Sequence, residues 1–194
     1  MAISKKVTKY LASKGVKYEV VPHRKVFTAY DLAQTLCESL DKVAKTLLVT
    51  VELPEIKTRG RHYVVAVPAS YKLELDKIKK NLKAVKVELA PEKVMKKLGI
   101  EPGVLSPFAA LHELELLLDK ALLRSKKILV RAGSLTESIR LKSRDLHRIE
   151  KTLSGAFGKK SGVKLQAKSQ RKPARKKRPA KKKSRAKTVR RKKR

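Results

Sequence analysis

"KTLLVTVELPEIKTRGRHYVVAVP" occupies residues 45–68, and the reading of its two ends decides the fold. "KTLLVTV" (45–51) and "HYVVAVP" (62–68) are rich in Val and Leu, side chains that suit a pleated, packed surface. The polar stretch between them carries Pro54 and Gly60, so the segment reads as two strands joined by a loop.

Toward the N-terminus, Ser4 stands where a first helix would be capped. Val7, Tyr10 and Leu11 follow on one side, and Gly15 supplies a stop. "VKYEVVP" (16–22) reads as a strand. "TAYDLAQTLCESL" (28–40) opens with Thr28 and Asp31 in capping-box-like spacing. Its stripe of Leu32, Ala33, Leu36, Cys37 and Leu40 has helical spacing and puts Cys37 on the buried side, as a structural thiol.

Toward the C-terminus, the pattern predicts a short helix over 76–82, a strand over 85–89, and a helix over 91–99 bounded by Pro91 and Gly99. Strands follow near 114–118, 128–130 and 138–141, then a helix over 143–153. Strands and helices interleave without a strict βαβ rhythm. The fold expected is a compact mixed-sheet α/β domain rather than a doubly wound one.

Charge is the compositional outlier. The 194 residues hold 51 Lys+Arg against 17 Asp+Glu, a net charge of +34. Residues 159–194 contribute 20 basic side chains and no acidic one, leaving +14 on the first 158. A polyanionic partner is implied, nucleic acid ahead of an anionic membrane. "GAFGKKSG" (155–162) reads as a glycine-punctuated linker, and the basic run beyond it as a disordered tail, dividing the chain into 1–158 and 159–194. In that tail Arg171, Lys172, Arg175, Lys176, Lys177, Arg178, Lys181, Lys182 and Lys183 are candidates for nucleic-acid contacts. No aromatic residue interleaves with them, so capture would be electrostatic and without base readout.

Several chemistries find no motif. Cys37 is alone, which excludes an intrachain disulfide and a Cys-rich zinc site. His23, His62, His112 and His147 are far apart, and no HExxH helix forms, so no metal site is expected. There is no P-loop and no dinucleotide fingerprint, and no cofactor is called for. No stretch has the apolar length of a membrane span or the core of a signal peptide, so a soluble, cytoplasmic protein is expected.

"GVLSPF" (103–108) alone reads as a plain connection, stiffened by Pro107 and opened by Gly103. Taken with four other pieces it says more. "VKYEVVPH" ending at His23, "VFTAYDLAQTL" (26–36), "KVAKTLLV" around Lys45, "EPGVLSPF" and "RAGSLTESIRL" around Gly133 occur in this order. Together they resemble the YbaK/ProX family of aminoacyl-tRNA deacylases, related to the editing insertion domain of bacterial prolyl-tRNA synthetase. The resemblance covers roughly residues 5–150 and leaves out the tail.

The resemblance implies a mixed α/β fold with a partly barrel-like sheet and a pocket for the 3′ end of aminoacyl-tRNA. The implied reaction is hydrolysis of the ester between a wrong amino acid and the terminal ribose, acting in trans. Lys45 matches the family's functional lysine, and Gly103 and Pro107 match its GxxxP loop, with Ser106 inside it. His23 matches a position beside the pocket entrance; Gly133 and Ser134 match a turn near the pocket. Phe27, Thr28 and Tyr30 are candidates to line the amino-acid pocket. "AGSLTESI" (132–139) departs from the glycine- and basic-rich turn of the cysteinyl-tRNA-prolyl deacylases, so the substrate amino acid stays open. Two other readings remain: a nucleic-acid-binding protein whose editing-like pocket is inactive, and a module that binds aminoacyl-tRNA without hydrolysis.

Overall fold

The computed structural model describes residues 3–54, 60–101, 103–163 and 165. In chain order the elements are α1 (Lys5–Ser13), β1 (Tyr18–Pro22), α2 (Ala29–Leu36), β2 (Ala44–Glu52), β3 (Arg61–Pro68), β4 (Tyr71–Leu73), α3 (Leu75–Leu82) and β5 (Lys86–Leu89). Then come α4 (Glu92–Lys97), β6 (Glu115–Asp119), α5 (Lys120–Leu123), β7 (Lys127–Arg131), β8 (Glu137–Lys142), α6 (Ser143–Ile149), β9 (Thr152–Gly155) and β10 (Gly158–Lys160). The class is mixed α/β, as the interleaved pattern predicts.

The strands at 45–51 and 62–68 pair antiparallel, from Ala44 opposite Pro68 to Val51 opposite Arg61. They centre a five-stranded sheet ordered β5-β2-β3-β6-β9, in which β3–β6 and β6–β9 run parallel. Both faces are buried. Ala44, Leu48, Val64, Ala66, Leu116 and Leu118 pack into one core, and the alternate residues Val49, Val51, Val65, Val67 and Leu117 pack into another. A second sheet, β1-β8-β7, meets the first where Val43 bridges Leu129 in parallel.

Four expectations need correction. Cys37 is exposed, not buried: α2 stops at Leu36, and Cys37 turns left-handed at φ 52° as its C-cap, which takes it off the helical stripe. Ser4 stands at the start of α1 without a side-chain cap; its carbonyl accepts from Val7 and Thr8 N–H instead. The helix read to 153 ends at Ile149, because Glu150 is extended and its carboxylate accepts from Ala110 N–H. Residues 152–155 then become strand β9 beside β6.

The fourth concerns the stretch read as a linker. Gly158–Lys160 pairs with Tyr71–Leu73 as β10. Asp119, 2 % exposed, explains this: one carboxylate oxygen accepts from both Phe157 and Gly158 N–H at 2.8 Å, and the other caps α5 through Ala121 N–H. Phe157 is buried among the residues of the second core. Ser161 N–H and Oγ then both donate to Ser70 O.

Candidate active site

The site begins with an incomplete ladder. β2 pairs with β3 along nearly its whole length but with β5 only from Val49 to Glu52. One further bond, Ala90 N–H to Leu48 O at 2.9 Å, closes that edge, and from Leu47 back to Ala44 no strand among the described residues pairs with it. Leu48 O faces the β5 side, whereas Val43 O accepts from Ala69 N–H on the β3 side. Strand alternation therefore points the Thr46 N–H and C=O to the open edge.

A cavity of about 360 Å³ fills this gap. Residues 44–48 of β2 line it together with Gly103 and Leu105. Phe27, Thr28, Ala29, Glu92 and Arg131 also contribute to the lining. Lys45 and Gly103, separate in sequence, thus share one pocket. Of the amino-acid-pocket candidates, Phe27 and Thr28 line it, and Tyr30 is absent from the lining.

Lys45 is half-buried, and its Nζ donates to the main-chain carbonyl of Tyr71. Burial pulls its pKa below the ordinary lysine value. Among the described residues no carboxylate forms an ion pair with it. Glu92 also lines the pocket without forming an ion pair with Lys45, and a partly desolvated ammonium without an ion-pair partner favours an incoming anion or a carbonyl that gains negative charge. Thr46 Oγ1, buried with no hydrogen-bond partner among the described residues, is a further polar group of the lining.

Gly103 has φ +82°, and a Cβ there would make ordinary contacts with Phe27 O at 3.6 Å and Leu135 Cδ2 at 4.0 Å. The backbone angle, not lack of room, requires glycine. The rest of the loop serves the fold. Ser106 is 5 % exposed, Pro107 is buried, and Phe108 is fully buried in the main core. Ser106 faces a different hollow, of about 290 Å³, lined also by Ser4, His112 and Gly133. Gly133 has φ +73°, and a Cβ there would lie 2.9 Å from that of Ser4, so its neighbour at the start of α1 also demands glycine.

Ser134 is 1 % exposed, and its Oγ accepts from Thr136 and Glu137 N–H at 3.1 and 3.2 Å, closing the turn before β8. His23 lies outside the lining of the main pocket. Its Nδ1 lies 2.8 Å from Arg24 O and must carry the proton there. In the neutral ring, Nε2 then accepts from Ser138 Oγ at 2.9 Å. The structure therefore brings Lys45 and Gly103 together and gives His23, Ser106, Pro107, Gly133 and Ser134 other surroundings. The tail candidates from Arg171 to Lys183 lie outside the described residues.

Arg131 is the residue that sequence reasoning missed. It is 5 % exposed, and its guanidinium donates to Val26 O (3.0 Å), Thr28 O (3.4 Å) and Ser134 O (3.3 Å). It therefore ties the 26–28 segment to the turn at 134. Burial lowers its pKa, and the nearby Asp31 opposes that shift. It opens the quoted run "RAGSLTESIRL", so the signal was present, but one arginine among 51 basic residues does not announce itself. Among the described residues no group of His, Cys, Asp and Glu could hold a metal ion, and no helix is long and apolar enough to cross a membrane.

The chain matches a protein-family model described as "Aminoacyl-tRNA editing domain" over residues 23–149. No curated protein matches it. Among solved structures it is similar to the hypothetical protein APE2540, with a TM-score of 0.71 and 22 % identity, over 80 % of this chain and 100 % of that one. It is also similar to a protein described as a "putative trans-editing enzyme for prolyl tRNA synthetase". There the TM-score is 0.65 and the identity 20 %, over 81 % of this chain and 99 % of that one. At these identities the structural likenesses show the fold.

Proposed function

The chain belongs to the aminoacyl-tRNA editing domain family, and from that premise we propose that it is a trans-acting deacylase of mischarged tRNA. The observation that carries the reading is Lys45, a half-buried ammonium without a carboxylate partner among the described residues, at the open edge of β2 in the pocket with Gly103. An aminoacyl ester is already activated, so positioning and charge stabilisation do much of what hydrolysis requires.

In the proposed step, water oxygen bonds to the ester carbonyl carbon, and the carbonyl oxygen gains negative charge that the Lys45 ammonium stabilises. The bond from that carbon to the ribose oxygen then breaks; the water oxygen stays in the new carboxyl group, and the ribose oxygen takes the proton that the attacking water gives up. Water is the nucleophile of this step: among the described residues Cys37 and Ser106 are not in the lining, Thr28 Oγ1 is engaged with Asp31, and Thr46 Oγ1 is buried. Gly103 lets the terminal ribose approach the loop backbone closely. Thr46, through its open main-chain groups, offers the amino-acid end a donor and an acceptor.

The body through β10 carries this activity in the cytoplasm, and the basic C-terminal stretch raises affinity for RNA through counterion release. The amount of positive charge favours one alternative, a non-catalytic nucleic-acid-binding protein that retains the pocket. A deacylation screen over a panel of mischarged tRNAs separates them. Hydrolysis of one or a few members is expected; no hydrolysis of any member would hand the lead to the alternative.

A further inference from the structure

The active-site pocket has a neighbour. A second hollow, about 590 Å³, is lined by Glu38, Lys42, Arg140 and the run from Arg124 to Leu129. The two hollows flank the parallel bridge between Val43 and Leu129. On one side of it lie Lys42 and Lys127; on the other lie Ala44, Lys45 and Arg131. Both strands therefore run out of the second hollow directly into the pocket. The three residues from Lys42 to Lys45 span at most about 11 Å.

Its charge is fixed and partly unspent. Arg140 is bound to Glu19 and Glu38 and Lys42 to Glu38, but Arg124, Lys126 and Lys127 are exposed and form no ion pair with any described carboxylate. The turn that carries them is held from below. Ser143, 1 % exposed, donates its Oγ to Ser125 O at 2.6 Å and its N–H to Lys126 O at 3.2 Å. Cations on an anchored turn lose less freedom on meeting a ligand than cations on a mobile one. Leu165 packs against the cluster of Val26, Leu32, Ala33, Leu40, Val43 and Leu129, and 17 Lys or Arg residues follow it in sequence.

We propose that this hollow is a phosphate-binding groove for the RNA whose 3′ end occupies the pocket, with Arg124, Lys126 and Lys127 as its phosphate contacts. The proposal rests on the deacylase reading for the position of that 3′ end. Phosphodiester backbone is the ligand class, because the cations are unpaired, clustered in a concavity and adjacent to a pocket that would take a terminal nucleotide. The contacts position the RNA and carry no base readout.

The test is binding of uncharged tRNA to the full chain by fluorescence anisotropy between 50 and 200 mM salt. The triple variant Arg124→Ala/Lys126→Ala/Lys127→Ala should show a log–log salt slope shallower by about 2–3. Lys126→Ala alone should change the slope by about 1. A control triple variant, Lys79→Ala/Lys80→Ala/Lys83→Ala, removes equal charge from exposed positions of α3 and its C-cap, which line a separate hollow sharing no residue with the pocket, and should leave the slope near the parent's. Equal loss in both triple variants, or none in the first, would overturn the groove. Uncharged tRNA has no ester to cleave, so a groove-specific loss supports the site even if the deacylation screen finds no substrate; only the deacylase reading then falls.

Discussion

β2 has two halves of similar sequence and opposite use. From Val49 to Val51 it is paired on both sides, and Val49 and Val51 are fully buried. From Ala44 to Leu47 it is paired on one side only, and its free edge lines the pocket. One strand thus anchors the sheet with one half and presents a lysine with the other. The difference teaches that the site is made by withholding a neighbour: β5 stops pairing, and the rigid edge left behind holds Lys45 and Thr46 in place.

Substitutions in the two halves should separate rate from stability. Lys45→Ala should lower the single-turnover deacylation rate at saturating enzyme by about 10²–10³-fold, by analogy with loss of one oxyanion donor, with little change in Tm. Val49→Ala should do the reverse. It should cost about 2 kcal/mol, or roughly 4–8 °C in Tm, and leave the rate of the folded enzyme near the parent's. If Val49→Ala loses rate in proportion to Lys45→Ala, the two halves are not distinct.

Gly103→Val tests the lining outside β2. A β-branched residue is strained at φ +82°, and the exposed loop should relax by moving rather than by unfolding the domain. The expected loss in kcat/KM is on the order of tenfold, with Tm moving little. A large fall in Tm with proportional loss of activity would make Gly103 an ordinary turn residue.

A smaller effect marks a region away from β2. Glu150 is 6 % exposed, its Oε1 has no hydrogen-bond partner among the described residues, and burial raises its pKa above the ordinary carboxylate value against the opposing pull of the Ala110 N–H and Tyr10. A raised acid binds its proton more tightly folded than unfolded, so stability falls as pH rises from the unfolded value through the folded one. Glu150→Gln should therefore raise Tm at neutral pH, by about 1 kcal/mol or roughly 2–4 °C, and flatten that pH dependence. Thermal unfolding of both proteins from pH 4 to 8 measures it; an unchanged or lower Tm in the variant contradicts it.

What the sequence made legible follows local physics. The Val/Leu runs, Thr28 with Asp31, and Pro91 with Gly99 announce strands and helix ends through side chains near in sequence; Thr28 Oγ1 does accept from Asp31 N–H at 3.0 Å. β10 was not legible, because its anchor is the Asp119 carboxylate, 39 residues away from Gly158. Cys37 misled because helical spacing continues past the point where the backbone turns left-handed. At the site, Lys45 and Gly103 could be named through the family resemblance, whereas Arg131 and Thr46 needed coordinates. Their meaning lies in buried partners, or in the lack of one, which spacing does not record.

The central claim is that the Lys45 ammonium, partly desolvated on the open half of β2, stabilises the reacting ester. Its most direct test is the pH dependence of enzyme-dependent single-turnover hydrolysis, with spontaneous ester hydrolysis subtracted, for the wild type and Lys45→Ala. Burial lowers the lysine pKa, so the charged form is held at low pH and lost as pH rises through that lowered value. The account predicts a wild-type rate that declines on the alkaline side with an apparent pKa below about 10.4, the ordinary lysine value, and no such decline in the residual rate of Lys45→Ala. The same alkaline profile in both proteins, or a wild-type rate with no decline up to that value, would contradict it.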